Sequence, residues 1–591
     1  MRVPAASLRR AVVVATSLLT LGGGCADRES KEVAKTEANV GSAPQSSFKN
    51  VLEGEVISAD SYDGGPVAGA APAPAAPAPM PGGPGMMGGG MMGGGGQMAG
   101  RGMTGFGRAA AGGEKYATLV ENAYRDPAKQ PLSTFSVDVD TASYSNVRRF
   151  LTQGMLPPRD AVRVEELINY FPYAYPQPTR DDEPFSVNVE VARCPWDEGH
   201  RLAKIGLKGR EVAVDRRPAS NLVFLIDVSG SMMDPNKLPL VKSALRLLVG
   251  KLGENDRVAI VVYAGASGLV LPSTSCQDKT RVIAALEELQ AGGSTNGGAG
   301  LQLAYDTAVA HFVKGGTNRV ILCTDGDFNV GVTSREALVK LIEAKAKSGV
   351  FLSVLGFGMG NYKDATINQL ADKGNGNAAY IDSIREAAKV LVEQMGGTLL
   401  TIAKDVKVQV EFNPAKVASY RLIGYEDRLL QARDFNDDKK DAGEIGAGHT
   451  VTALYEIVPA GAEANAPGVD PLRYAKPEAK PAAATDPAAA APAARELFTV
   501  KLRHKPPQGD ESKLIAFAVE DDGVDDTPSD DFRFASAVAE FGLLLRDSPF
   551  KGHASWDDVL ERAESAAGAD KSGYRREFLG LARKARGLEA R

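Results

Sequence analysis

Positive charge, cysteine, histidine and long apolar runs are all scarce in this chain, and each scarcity removes a class of function. The 591 residues carry 68 Lys plus Arg against 74 Asp plus Glu, a formal charge of -6. A chain without a broad positive field has nothing to draw a phosphate backbone, so nucleic acid is excluded as a partner. Four cysteines are present; with Cys25 set aside, Cys194, Cys276 and Cys323 make an odd remainder that builds no disulfide framework. Cys323 ends the apolar run Val320 to Cys323 and reads as a small buried residue, whereas Cys194 and Cys276 pair only if the fold brings them together. The five histidines, His200, His311, His449, His504 and His553, lack any H-x-x-x-H or H-x-E spacing. They read as surface or satisfied core residues, which leaves no zinc motif and no base beside a nucleophile. The apolar run at the N-terminus, Ala11 to Leu21, is too short to cross a bilayer as a permanent helix.

What is present at that end is a leader. Arg2, Arg9 and Arg10 precede the apolar run and small residues follow it, the pattern of a cleaved signal peptide. The segment Leu21-Gly22-Gly23-Gly24-Cys25 resembles a bacterial lipobox, although Gly22 stands where that pattern prefers Leu. The resemblance implies that Cys25 receives a diacylglyceryl group, becomes the mature N-terminus and tethers the protein to a membrane of the bacterial cell envelope. Ala26, in place of Asp, implies the outer membrane, with the protein facing the periplasm if it is not displayed outside. Residues 26–115 then turn to Gly, Ala, Pro and Met, a composition that buries too little to fold and reads as a flexible linker. Seven methionines fall between Met80 and Met103. Thioethers suit Cu(I), but no His or Cys interleaves with them, so the tether reading is preferred.

The length calls for two or three domains. Residues 116–218 form an extension, helical and then β: Phe135 to Asp140 alternates like a strand, Ser143 to Leu151 and Val162 to Tyr170 have helical patterns, and Phe185 to Ala192 and Leu202 to Leu207 are strand-like. From 219 to 400 short apolar runs alternate with amphipathic helices, which predicts a doubly wound, mostly parallel α/β sheet. Its strands are Leu222 to Asp227, Arg257 to Ala264, Gly268 to Pro272, Arg319 to Asp325, Val350 to Phe357 and Ala378 to Ile381. Val241, Ala244, Leu245, Leu248 and Leu252 mark one crossover helix, and Thr333 with Glu336 have capping-box spacing ahead of another. Residues 401–530 return to β-strands, interrupted by an Ala/Pro-rich insertion at 460–494. Residues 531–591 are helical, through Phe532 to Arg546 and then Asp557 to Leu588. Because the termini of compact domains often lie close together, strands before Ala219 and after Leu400 are expected to meet in one β-rich domain. The α/β domain is then an insertion in it.

The chemistry-bearing signal is Asp227-Val228-Ser229-Gly230-Ser231, a D-x-S-x-S loop directly after a hydrophobic strand and ahead of a helix. Loops beyond the carboxyl ends of the strands are where open α/β sheets bind ligands. Hydroxyls and carboxylates converging there suit a hard cation such as Mg²⁺. Thr295, in Gly292-Gly293-Ser294-Thr295-Asn296, and Asp325, at the end of the strand Arg319 to Thr324, belong to the same sheet edge. In order and context these five residues resemble the metal-ion-dependent adhesion site of von Willebrand factor type A domains. The resemblance implies one Mg²⁺ or Mn²⁺ ligated by the hydroxyls of Ser229, Ser231 and Thr295. Asp227 and Asp325 then act directly or through water, and an open position accepts an Asp or Glu carboxylate of a protein partner.

The resemblance extends beyond that domain. Ser133 to Ser145 with Arg148-Arg149-Phe150, and Asp531 to Phe541, look like the N- and C-terminal regions of a bacterial subfamily of such proteins, many of them predicted lipoproteins. The expected function is metal-dependent protein binding at the envelope, without catalysis. A metal-dependent hydrolase using the same cation is the rival. Asp138-Val139-Asp140 is similar to the nucleophile loop of haloacid dehalogenase-like phosphatases, but Ala142 stands where that loop wants Thr or Val and no βαβ unit follows. Gly356 to Gly360 lacks the G-x-G-x-x-G spacing of a nucleotide loop.

Overall fold

The computed structural model describes residues 116–590 apart from 117, 138–139, 181, 213–216, 294–296, 327–334, 359–363, 395–399, 441, 462–493, 508 and 524–526. The lipobox with Cys25, the 26–115 linker, Thr295, Thr333 and nearly all of the Ala/Pro-rich insertion therefore lie outside the described residues.

Strand β1 (Leu132–Ser136), helices α1 (Ala142–Thr152) and α2 (Val164–Asn169), and strands β2 (Phe185–Cys194) and β3 (Asp197–Gly209) come first. Six strands follow: β4 (Ser220–Asp227), β5 (Arg257–Tyr263), β6 (Ser267–Ser275), β7 (Thr317–Thr324), β8 (Phe351–Phe357) and β9 (Ala378–Ile381). They form one sheet in the order β6-β5-β4-β7-β8-β9. Every pairing is parallel except the β5–β6 hairpin at one edge. Strand β4 is buried along its whole length, with Leu222, Phe224 and Ile226 in one core and Val223 and Leu225 in another. Two covered faces are why its sequence is continuously apolar rather than alternating. Helices α3 (Leu238–Lys251) and α4 (Lys279–Glu287) cover the first face, and α5 (Gly297–Ala310), α6 (Arg335–Ala346) and α7 (Asp364–Lys373) the second. Helix α8 (Ile384–Ala388) returns to the first. The sheet has the six strands expected from the apolar runs, and it is the doubly wound architecture.

Strands β10 (Thr401–Phe412), β11 (Val417–Ile423), β12 (Gly443–Gly446), β13 (Thr450–Pro459), β14 (Glu496–Lys505) and β15 (Lys513–Glu520) complete two further sheets with the strands upstream. One has the order β1-β10-β14-β15, with β12 also on β10; the other is β11-β13-β3-β2. Strand β3 pairs antiparallel with β13 from Arg201↔Ile457 to Lys208↔Thr450, and β1 pairs with β10 from Leu132↔Glu411 to Ser136↔Lys407. Their inner faces share one core, in which Phe412 stacks on Tyr420 at 3.9 Å between ring centroids and Phe135, Tyr455 and Phe498 fill the space around them. The α/β domain is thus inserted in a β-rich domain, as the change of period at 219 and 400 implied.

The C-terminal helices α9 (Asp530–Arg546), α10 (Trp556–Ser565) and α11 (Tyr574–Glu589) do not form a separate tail. They share a core with α1 and α2, built on Tyr144, Tyr170, Phe171, Phe534, Phe541 and Phe578. The helical run expected from Asp557 to Leu588 is broken at Gly568 (φ +58°) and Gly573 (φ +72°), left-handed conformations that end one helix and admit a turn before the next. Cys194 lies in this helical core and Cys276 in the α/β core, both buried and free, so the fold does not bring them together.

One guanidinium ties these parts. Arg148 of α1 donates to Asp382 (2.5 Å) and Glu386 (2.8 Å) beyond β9, and to Glu577 (3.0 Å) of α11 and the Tyr170 hydroxyl (2.9 Å). Glu386 is buried, so Arg148→Met strips it of its guanidinium partner and leaves the Tyr170 hydroxyl and the nearby Lys389 ammonium. That variant is expected to lose about 3–5 kcal/mol in chemical denaturation, the usual cost of breaking a buried pair from one side. A loss under about 1 kcal/mol would mean the cluster behaves as an exposed one.

Candidate functional site

Parallel register sets the site's position. Asp227 ends β4 opposite Tyr263 of β5, and Ile226 lies opposite Cys323 of β7, so Asp325 follows β7 at the same carboxyl edge. Beyond Asp227 the chain turns sharply. The Ser229 amide donates to Asp227 Oδ1 at 2.9 Å, which folds the two serines back so that their hydroxyl oxygens stand 3.1 Å apart. The loop before α5 is fastened to this turn: the Gly292 amide donates to the Val228 carbonyl (2.7 Å) and the Gly230 amide to the Gly293 carbonyl (3.0 Å). Gly293 takes φ +85°, a conformation that glycine adopts without strain. Thr295 continues that loop and lies outside the described residues.

Four of the five residues singled out in the sequence are therefore described, and they converge on one sheet edge. Asp227, Ser229 and Asp325 are buried while Ser231 is exposed, so the cluster opens to solvent on the Ser231 side. Burial pushes the Asp227 carboxyl above the usual carboxylate range, and the nearby Asp325 charge adds to this against the hydrogen bonds from Ser229. Asp227 Oδ2 is buried without a hydrogen bond of ordinary geometry. An ionised oxygen left in that condition costs free energy that a cation would recover. Every donor at the cluster is a hard oxygen, two of them hydroxyls and two carboxylates, and this set fits Mg²⁺ or Mn²⁺ in place of a soft metal. One cation is already there. Lys237, buried at the start of α3, donates from Nζ to Asp325 Oδ2 (3.0 Å) and to the Ser231 carbonyl (2.9 Å). Sequence reasoning passed over Lys237 because nothing in the run Asp234-Pro235-Asn236-Lys237 says that the turn folds it inward.

A second cluster was also missed. Asp197, His200 and Glu456 bring potential ligand atoms within 4.8 Å of one another. His200 Nδ1 lies 2.7 Å from Glu456 Oε1 and 3.5 Å from Asp197 Oδ2, with the Tyr124 hydroxyl at 3.3 Å. Arg421 donates to the other Glu456 oxygen at 2.8 Å. Both carboxylate oxygens are thereby engaged, one by His200 and the other by Arg421. The cluster is an ion-pair network that ties β3 to β13 and to the N-terminal segment. Burial raises the Glu456 carboxyl, but hydrogen bonds from His200 and Tyr124 and the Arg421 charge prevail and bring it down to about 2. Burial likewise opposes the charged imidazole, yet Glu456 and Asp197 carry the His200 pKa above its ordinary value. Asp140, discounted as a nucleophile, accepts from the Ala378 amide (3.1 Å) and pairs with Arg428 (3.2 Å), a structural role. Asp138 and Val139 lie outside the described residues.

Three family descriptions match the chain: "von Willebrand factor type A domain" over residues 221–394, "von Willebrand factor" over 110–204, and "Uncharacterized protein YfbK, C-terminal" over 397–588. The chain is 46% identical over 486 residues to the uncharacterized protein YfbK of Escherichia coli, covering 81% of this chain and 82% of that one. It is 29% identical over 209 residues to the uncharacterized protein sll0103 of Synechocystis, covering 34% of this chain and 48% of that one. Among solved structures, a von Willebrand factor type A protein from Catenulispora acidiphila is 15% identical with a TM-score of 0.36, covering 69% of this chain and 97% of that chain.

The His200 network yields a signed pH dependence. A histidine whose folded pKa is raised contributes stability that is complete below its unfolded value, about 6.5, and is lost as pH climbs through the folded value. In thermal melts the gap between wild type and His200→Asn is therefore expected to be widest on the acid side of neutrality and to close on the alkaline side. A gap that is narrowest on the acid side and widens as pH rises would show that His200 is held neutral.

Proposed function

The chain belongs to the YfbK-like family of von Willebrand factor type A domain proteins, and from that premise we propose a metal-ion-dependent protein-binding module at the bacterial cell envelope. Domains of this type typically mediate protein interactions. The observation that carries the finer reading is the convergence of Asp227, Ser229, Ser231 and Asp325 at one sheet edge, with Asp227 and Asp325 buried and an open side at Ser231. Ser229, Ser231 and Thr295 would hold one Mg²⁺ or Mn²⁺ through hydroxyls, and Asp227 and Asp325 directly or through water. The ion supplies an electrophilic point for an Asp or Glu carboxylate of the partner.

What this chain's own residues do is orient and exclude. The Ser229 amide fixes the Asp227 carboxylate, the Gly292–Gly293 loop closes one flank, and Ser231 marks the approach. Met233, 65% exposed just beyond Ser231, offers apolar surface beside that approach. Anchoring through a lipid on Cys25 would hold the module at the membrane, which suits a protein that collects partners there.

Metal uptake is read most simply from stability. Mg²⁺ at about a hundred times its dissociation constant adds roughly 2.7 kcal/mol to the folded state. The wild type is expected to melt higher in Mg²⁺ than in chelator, and Asp227→Ala to show no such shift while keeping its fold. Capture of a partner from envelope extract is expected to need the metal and Asp227 alike. Capture that survives chelation unchanged would mean that the domain binds without a metal bridge.

A further inference from the structure

The ammonium of Lys237 stands inside the candidate site with no role yet assigned to it. It is 5% exposed, held at 3.0 Å from Asp325 Oδ2 and 2.9 Å from the Ser231 carbonyl, and 3.9 Å from the exposed Asp234 carboxylate. Its position is built, not incidental. The stem runs against Gly358 at the end of β8, where an added Cβ would come 2.5 Å from Lys237 Cε, and Gly358 itself has φ +83°. Gly358 is held in turn by the Tyr380 hydroxyl, which donates to its carbonyl. Lysine heads ordinarily reach for water, and a long flexible stem gives up considerable freedom when it is fixed this way. A site that needed only a helix start at Lys237 would not require the charge to point at Asp325.

We propose that Lys237 is a resident counter-cation of the metal site, a positioning residue that shares Asp325 with the divalent ion and so sets how tightly the ion is held. This rests on the metal reading given above and goes beyond it. With Lys237 in place, Asp325 is neutralised before any metal arrives, and a divalent ion must enter a site that already contains a positive charge. Once the ion is bound, two carboxylates and one ammonium leave a net positive charge at the open edge. The site then holds its metal loosely and attracts a further carboxylate. Without the ammonium the two aspartates would neutralise the ion completely, and a partner's carboxylate would gain little by approaching.

The test is calorimetric titration of the full chain with Mg²⁺ alone, in wild type, Lys237→Met and Lys237→Gln. Removing a unit charge a few ångströms from the ion is expected to tighten Mg²⁺ binding by about ten-fold or more, even after solvent screening. Lys237→Gln keeps a donor for Asp325 and the Ser231 carbonyl, so it separates loss of charge from loss of structure. It is expected to tighten binding as Lys237→Met does. A lysine that served only to brace the loop would give the opposite result, weaker binding in both variants. Unchanged or weaker Mg²⁺ binding in a folded Lys237→Gln overturns the counter-cation while leaving the metal reading in place. No Mg²⁺ uptake by wild type or either variant overturns the metal reading and this proposal with it.

Discussion

The antiparallel ladder between β3 and β13 is the constraint on which the rest of the molecule depends. It joins Arg201 through Lys208 to Ile457 through Thr450, so the whole α/β domain must leave and re-enter the β-rich domain between paired strands. The two crossing points are pinned to one turn: the Gly209 amide donates to the His449 carbonyl, and the Ala447 amide to the Leu400 carbonyl. Closing so long a loop costs entropy that grows only slowly with length. An insert that fills two cores almost wholly from its own residues turns the long loop into a short gap between fixed ends. The His200, Glu456 and Arg421 network lies at the other end of this ladder, beside Arg201↔Ile457, where the buried charges tie β3, β13 and β11 together away from the crossing points.

The ladder also explains why the N- and C-terminal helices share a core. Once β1 and β3 are held in the β-rich domain, α1 and α2 are carried to the side where α9 and α11 return, and Tyr144, Phe171 and Phe578 bury one another. Arg148 then reaches from this helical core to Asp382 and Glu386 at the far end of the α/β domain. The insert is thus held at its entry by hydrogen bonds and at its last helix by a buried charge cluster. Its candidate site, at the carboxyl edge of β4 and β7, stays at a surface of the assembly, with Ser231 exposed.

Much of this was legible in the sequence, because strong local patterns wrote it. Continuous apolar runs such as Leu222 to Ile226 can be satisfied only between two layers of helices, and the D-x-S-x-S loop announces itself by residue type and by the strand ahead of it. The change of period near 219 and 400 gave the insertion. What escaped were contacts between segments remote in the chain. His200 carries no spacing signal, since its partner Glu456 arrives from a strand on the other side of the insert. Lys237 carries no local signal of burial; the Asp234 turn and Gly358, remote in the chain, hold it inward. The break at Gly568 and Gly573 was visible as composition, yet the helical period on either side masked it.

We propose that the carboxyl edge of β4 and β7 is a cation site built from hard oxygens. The most direct measurement is the anomalous difference map of crystals grown with Mn²⁺. One strong peak is expected within bonding distance of the Ser229 and Ser231 hydroxyls, close to Asp227 and Asp325, with its outward position taken by water or a neighbouring carboxylate. A peak at Asp197, His200 and Glu456 instead, or no peak at the β4 edge at saturating Mn²⁺, would contradict it.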